Sequence, residues 1–107
     1  MNKALALDPD LMEAAAGKAA SLLRTLANER RLMILCHIGG GELSVGALQE
    51  RVRLSQSALS QHLALLREEG VVATRRSGQT IYYRIADPSA VRVIETLADI
   101  FCPEPPQ

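Results

Sequence analysis

The chain has 107 residues, with 12 Lys+Arg against 12 Asp+Glu, two cysteines, two histidines, two tyrosines and one phenylalanine, so its formal charge at neutral pH is zero. That length fits one domain, expected over 1–107, which buries roughly two-thirds of its unfolded surface without a disulfide scaffold, and 48% hydrophobic residues exclude wholesale disorder. No apolar run reaches the roughly 20 residues that span a bilayer, and the opening MNKALALDPD lacks the apolar segment of a signal peptide, so a cytoplasmic chain with no membrane partner is expected.

Asp8-Pro9 joins a capping acceptor to a proline, and Leu11, Met12, Ala15, Ala19, Leu22, Leu23 and Leu26 follow at helical spacing, so the first helix is expected from about Pro9 to Ala27. Asn28 caps a second helix that carries Leu32, Leu35 and Cys36 and stops at Gly39-Gly40-Gly41. Ser44 caps a short third helix through Val52, Arg53-Leu54 makes a tight turn, and Ser55 caps a fourth helix that ends at Gly70. There the period falls from 3.6 to 2. Val71 to Arg76 and Thr80 to Ile85 read as the strands of a hairpin joined by Ser77-Gly78-Gln79. Asp87-Pro88 opens a last helix with Val91, Ile94, Leu97, Ala98, Phe101 and Cys102 on one side, and Pro103-Glu104-Pro105-Pro106 closes it in a non-helical tail. The expected fold class is mainly α with one β-hairpin: four helices, the hairpin and a final helix.

The neutrality is a cancellation of two regions. Residues 51 to 84 hold Arg51, Arg53, Arg67, Arg75, Arg76 and Arg84 against Glu68 and Glu69, six charges against two, giving +4, and the remainder sums to −4. Two short helices followed directly by a hairpin make the layout of a winged helix-turn-helix, in which the second helix of the pair enters the major groove of DNA. The fourth helix has chemistry on two sides. Leu59, Leu63 and Leu66 form an apolar stripe, with Ala58 and Leu65 flanking it, while Gln56, Ser57, Ser60, Gln61 and Arg67 lie opposite. Glutamine suits a bidentate contact to adenine, and a helix N-terminus favours a phosphate. The competing reading is a soluble, well-capped helix. Arg75 and Arg76, placed at the hairpin tip beside Gly78, Gln79 and Thr80, are expected to reach the minor groove or its phosphates, against the alternative of a solvated loop. Ser44 and His62 complete the candidate DNA-contacting set; for His62 a structural hydrogen bond is favoured over a metal-ligand role. Since no Cys-x-x-Cys, glycine-rich phosphate loop or nucleophile elbow appears, no enzymatic reading has residues to carry it.

The segments LLRTLANERRLMILCHI, ELSVGALQERVRLSQSALSQHLALLREEGVV and RRSGQTIYYRIADPSAVRVIETL together resemble the ArsR/SmtB family of winged-helix bacterial repressors over nearly the whole chain. The resemblance implies a homodimer formed through the first and last helices, a palindromic double-stranded operator, and release of DNA when an inducer is sensed. A common metal site of that family has Cys-Val-Cys at the start of the third helix, where this chain reads Glu42-Leu43-Ser44-Val45-Gly46. The other uses His and Asp/Glu on the last helix, which here contains Glu95 and Asp99 but no histidine. No metal ligand set and no cofactor is therefore expected, and metal sensing is kept as an alternative.

Cys36 and Cys102, one per helix and 66 positions apart, resemble the thiol pair of the sulfide- and persulfide-responsive branch of the family, the BigR- and SqrR-like repressors. That resemblance implies a redox switch in which a disulfide or longer polysulfide bridge joins the two thiols and disfavours DNA binding, with reactive sulfur species such as glutathione persulfide as inducer. A general thiol-oxidation sensor is a second alternative, and a protein–protein adaptor that keeps the fold without binding DNA is a third. Taken singly, each cysteine also reads as a small buried hydrophobe. Both fall near helix C-termini, whose dipoles disfavour a thiolate, with His37 or an arginine as candidates to offset this.

Overall fold

Asp8 Oδ1 accepts a hydrogen bond from Asp10 N at 2.9 Å, and with Pro9 in the first turn it starts helix α1 (Pro9–Leu26). The computed structural model describes residues 7–102; the expected non-helical tail from Pro103 and most of the N-terminal stretch lie outside them. Asn28 caps α2 (Glu29–Ile38) through Arg31 N at 3.0 Å, Ser44 caps α3 (Val45–Arg51) through Ala47 N at 3.1 Å, and Ser55 caps α4 (Gln56–Glu68) through Ala58 N at 3.1 Å. Each cap satisfies an N–H that the helix itself cannot. Asn28→Ala is expected to lower stability by about 1 kcal/mol, a shift that denaturant unfolding at constant m-value resolves.

Gly70 ends α4 with φ +77°, a conformation that a side chain disfavours; Val71 N bonds Leu66 O at 2.9 Å and Gly70 N bonds Arg67 O at 3.0 Å. These two bonds form a Schellman stop. The hairpin strands run one residue later in β2 than expected, Val72–Ser77, against β3 (Thr80–Ile85). Ser77 pairs with Thr80, so the loop is only Gly78-Gln79; Gly78 takes φ +62° and Gln79 does not turn positive, the pattern of a type II′ hairpin turn. The last helix, α5 (Pro88–Phe101), leaves Cys102 as its C-cap.

One strand was not expected. Glu42–Ser44 forms β1, pairs antiparallel with β3, and gives a three-stranded sheet in the order β1-β3-β2. Three residues are too few for a period-2 pattern to register, and the preceding glycines disguise the segment as a loop.

Ile34, Leu35, Leu48, Leu59, Leu66 and Val71 are fully buried, and Leu26, Ile38, Val52, Leu63, Val72 and Ala90 complete the core. It lies where α2, α3 and α4 meet the inner face of the sheet, and each large aliphatic side chain taken from water there contributes about 1.5–3 kcal/mol. Helix α1 reaches the core only with its last turns: residues 9–20 are exposed throughout, Leu11 by 71%. The radius of gyration, 16.0 Å, exceeds the approximately 13 Å of a compact chain of this length because that helix stands away from the body. Ile100 and Phe101 leave a second apolar patch at the end of α5.

Candidate nucleic-acid interface and thiol pair

Between α3 and α4 the chain turns over Val52 to Ser55, and Gln49 Nε2 donates to Leu54 O at 2.6 Å across that turn. A side chain from one helix thus fixes the entry to the next. Sequence reasoning missed Gln49, since an isolated glutamine on a short helix carries no pattern. With α4 so held, Leu59, Leu63 and Leu66 face the core, Ala58 and Leu65 are half-buried, and Gln56, Ser57, Ser60, Gln61 and Arg67 are exposed. The division between an apolar and a hydrogen-bonding side is the expected one. Ser55 and Ser57 hydroxyls lie 3.5 Å apart at the N-terminal end, beside the free N–H groups of the first turn.

Ser44 is half-buried and its Oγ accepts the α3 capping bond, so its first task is structural. It nevertheless shares a cleft of about 450 Å³ with Gly46, Gln79 and Thr80, which brings three of the predicted contacts together beside the hairpin turn. Arg76 is exposed, opposite Ile81, one pair below the terminal Ser77–Thr80 pair.

Two expectations are corrected. Arg75 does not project from the tip: it lies one residue further from the turn than Arg76, on the outer face of the sheet, where Glu42 of β1 accepts its Nη2 at 2.8 Å and its Nε at 3.1 and 3.2 Å. Its guanidinium also lies 4.6 Å from the centroid of the Tyr82 ring. The carboxyl of Glu42 is held below its usual range, first by the bonds from Arg75 and further by the charges of Arg75 and Arg84. Glu42 was missed because its partner is 33 positions away and the strand that presents it was not expected.

The second correction concerns His62, which makes no side-chain hydrogen bond among the described residues. It is half-buried at the edge of the leucine stripe, and its pKa is lowered by burial first and then by the charges of Arg31 and Arg30. Arg31 itself donates to Thr25 O at 2.6 Å and Arg24 O at 3.3 Å, capping the carbonyl end of α1 from α2.

Cys36 lies two residues from the end of α2 and Cys102 caps α5; both are free thiols and both are exposed. The buried-hydrophobe reading is thus wrong for each. Although Cys36 is exposed as a residue, it lines an apolar groove of about 350 Å³ with Leu35, Ile85, Val91, Ile94 and Ala98. Burial pushes its thiol pKa up, and the charge of Cys102 pushes it up further. Ala98, which lines that groove with Cys36, accepts a hydrogen bond from Cys102 N at 2.8 Å, so residues 66 positions apart in the chain are brought to the same end of α5. Neither His37 nor an arginine is among the groups that shift Cys36, so the compensation expected of them is not found. Among the described residues no three His, Cys, Asp or Glu side chains gather as a metal site, and no helix is long and apolar enough to cross a membrane.

Residues 28–74 match the helix-turn-helix family model described as bacterial regulatory protein, arsR family. The transcriptional activator HlyU of Vibrio cholerae serotype O1 is 50% identical over 91 residues, which cover 85% of this chain and 84% of that one. Reduced HlyU from Vibrio cholerae superposes with a TM-score of 0.82 at 49% identity, over 88% of this chain and 99% of that chain. The transcriptional repressor BigR from Xylella fastidiosa superposes with a TM-score of 0.84 at 40% identity, over 92% of this chain and 100% of that chain. A homodimeric winged helix-turn-helix DNA-binding domain from Mycobacterium bovis superposes with a TM-score of 0.73 at 31% identity, over 90% and 89% of the two chains.

Proposed function

Because the chain belongs to the arsR family of bacterial regulatory proteins, which are DNA-binding transcriptional regulators and not enzymes, we propose that it is a homodimeric repressor whose DNA affinity is set by the sulfur state of Cys36 and Cys102. Helix α4 reads the operator through Gln56, Ser57, Ser60 and Gln61, with Arg67 and His62 at the rim of the same helix. Arg76, Gln79, Thr80 and Ser44 form the flanking contact at the wing. The exposed apolar residues of α1 and α5, Leu11, Met12, Ile100 and Phe101 among them, are the surface that a second copy covers. In a two-fold dimer the two α4 helices meet half-sites about 34 Å apart, which is why the operator is palindromic.

The observation that carries the sensing part is that two exposed thiols, one near the end of α2 and one capping α5, stand on either side of Ala98, which lines the groove with Cys36 and accepts from Cys102 N at 2.8 Å. A thiolate attacks the outer sulfur of a persulfide R–S–SH, forming Cys–S–SH and expelling R–S⁻, which takes up a proton. The second thiolate then attacks the inner sulfur of that group, forming the Cys36–Cys102 disulfide and expelling HS⁻. If a further donor first extends the protein persulfide by one sulfur, the same closure gives a trisulfide. Burial and the charge of Cys102 raise the pKa of Cys36, which lowers its thiolate population and slows its attack as a nucleophile.

A direct disulfide requires Cα atoms within about 7 Å, and each inserted sulfur relaxes that requirement. Closing the bridge ties the end of α2 to the end of α5, so the arrangement of the domain core and of the dimer surface become one equilibrium. A coupling of about 1–3 kcal/mol is enough to change DNA affinity 5- to 150-fold.

The reduced protein is to be allowed to select a duplex from a random pool, and release from that duplex measured after glutathione persulfide. Wild type releases it, whereas Cys36→Ser and Cys102→Ser bind as before and stay bound. Release by both variants sinks the switch. Equal release by hydrogen peroxide makes the protein a general thiol-oxidation sensor, and release by zinc, cadmium or arsenite a metal-responsive one.

A further inference from the structure

Arg75 is engaged before any DNA arrives. Its Nη2 lies 2.8 Å from Glu42 Oε1, its Nε lies 3.1 Å from Oε2 and 3.2 Å from Oε1, and the guanidinium sits 4.6 Å from the centre of the Tyr82 ring. Strand register explains how residues of two non-adjacent strands meet. Glu42 is paired with Arg84 and Arg75 with Tyr82, so both point to the outward face, and Arg75 reaches across β3 to β1. By that register the face also carries Ser44, Ala73, Ser77 and Thr80, which leaves Glu42 as its one acidic strand residue.

The pair has two properties that pull in different directions. Its fork geometry is bidentate, which specifies position, yet the side chains keep 52% and 32% of their exposure, so water and salt screen it and a competitor can enter. A guanidinium fork fits a carboxylate and a phosphodiester equally well. We infer that Glu42 acts as an internal phosphate surrogate: it occupies Arg75 in the free protein and has to be displaced before Arg75 can pair with a DNA phosphate, which makes Glu42 a specificity-determining residue. The inference rests on the DNA-binding reading given above.

The discrimination comes from effective concentration. A carboxylate on the next strand but one is always at hand, whereas a phosphate of random DNA is held only by loose electrostatic attraction and competes poorly. Once α4 is docked in a matching groove, the flanking phosphate is equally localised, and the exchange becomes close to even. Arg75 is therefore silent on random DNA and recruited on the operator.

The test measures binding by fluorescence anisotropy over a salt series, with a random-sequence duplex and with the duplex selected by the reduced protein. Wild type is compared with Glu42→Gln, Arg75→Ala and the double variant. Glu42→Gln is expected to tighten binding to the random duplex several-fold at low salt and to steepen its log–log salt slope by about 0.9 per subunit in contact. The ratio of operator to random affinity narrows accordingly. Arg75→Ala leaves the random duplex unaffected and weakens the operator, and the double variant behaves as Arg75→Ala does. An unchanged slope in Glu42→Gln, or a loss of affinity matching that of Arg75→Ala, overturns the inference and leaves the pair as a brace for the wing. Absence of salt-dependent binding by wild type overturns the DNA-binding reading itself, and with it this one.

Discussion

Leu66→Ala is expected to lower the unfolding free energy by about 2–5 kcal/mol, and to abolish DNA binding at temperatures where the wild type still binds. Leu66 is completely buried on the inner side of α4, in the same stripe as Leu59 and Leu63, and Val71 N bonds its carbonyl in the helix stop. Truncation leaves a cavity where three helices and the sheet converge, in addition to the lost transfer free energy. A domain of this size has about 5–15 kcal/mol in total, so the loss takes a large fraction of it. Urea unfolding checks the value. A loss below about 1 kcal/mol, the range of surface substitutions and single caps, would show that α4 is not packed as described.

The other large effect belongs to the opposite side of the same helix. Gln56→Ala and Gln61→Ala remove exposed side chains, so stability is expected to change by less than about 0.5 kcal/mol. Operator affinity falls by about 1–3 kcal/mol for each glutamine that makes a bidentate base contact, while affinity for random DNA and the salt slope stay as they were. Arg76→Ala gives the complementary pattern: both duplexes weaken together and the slope drops by about 0.9 per subunit, the signature of a phosphate contact. A glutamine variant that loses random and operator DNA equally would mean that α4 does not read bases.

Legibility from sequence followed the range of the interaction. Helices α1 to α5 were readable because caps such as Asp8, Asn28, Ser44, Ser55 and Asp87 act within three residues of themselves, and because a leucine stripe repeats along α4. The two sides of α4 followed from the same periodicity. What could not be read are contacts that join distant segments. Strand β1 is defined only by its partner β3, and Glu42 finds Arg75 only because that sheet exists. With that partner unseen, Arg75 looked like a free wing arginine equivalent to Arg76, although one residue along a strand is the difference between opposite faces. His62 shows the same limit, since its depressed pKa comes mainly from burial and then from arginines on α2. The cysteine pair was found by resemblance. Its physical basis, two exposed thiols brought to the same end of α5 on either side of Ala98, is a property of the fold.

Whether Cys36 and Cys102 of one chain form the switch is decided by intact-mass and peptide-mass analysis after exposure of the reduced protein to glutathione persulfide. The expected product has a monomer mass equal to the reduced chain less two hydrogens, with zero or more added sulfur atoms, and gives a single cross-linked peptide pair containing Cys36 and Cys102, appearing in step with loss of DNA binding. Loss of DNA binding with both cysteines still free, or with each carrying only a separate mixed disulfide to glutathione, would contradict it.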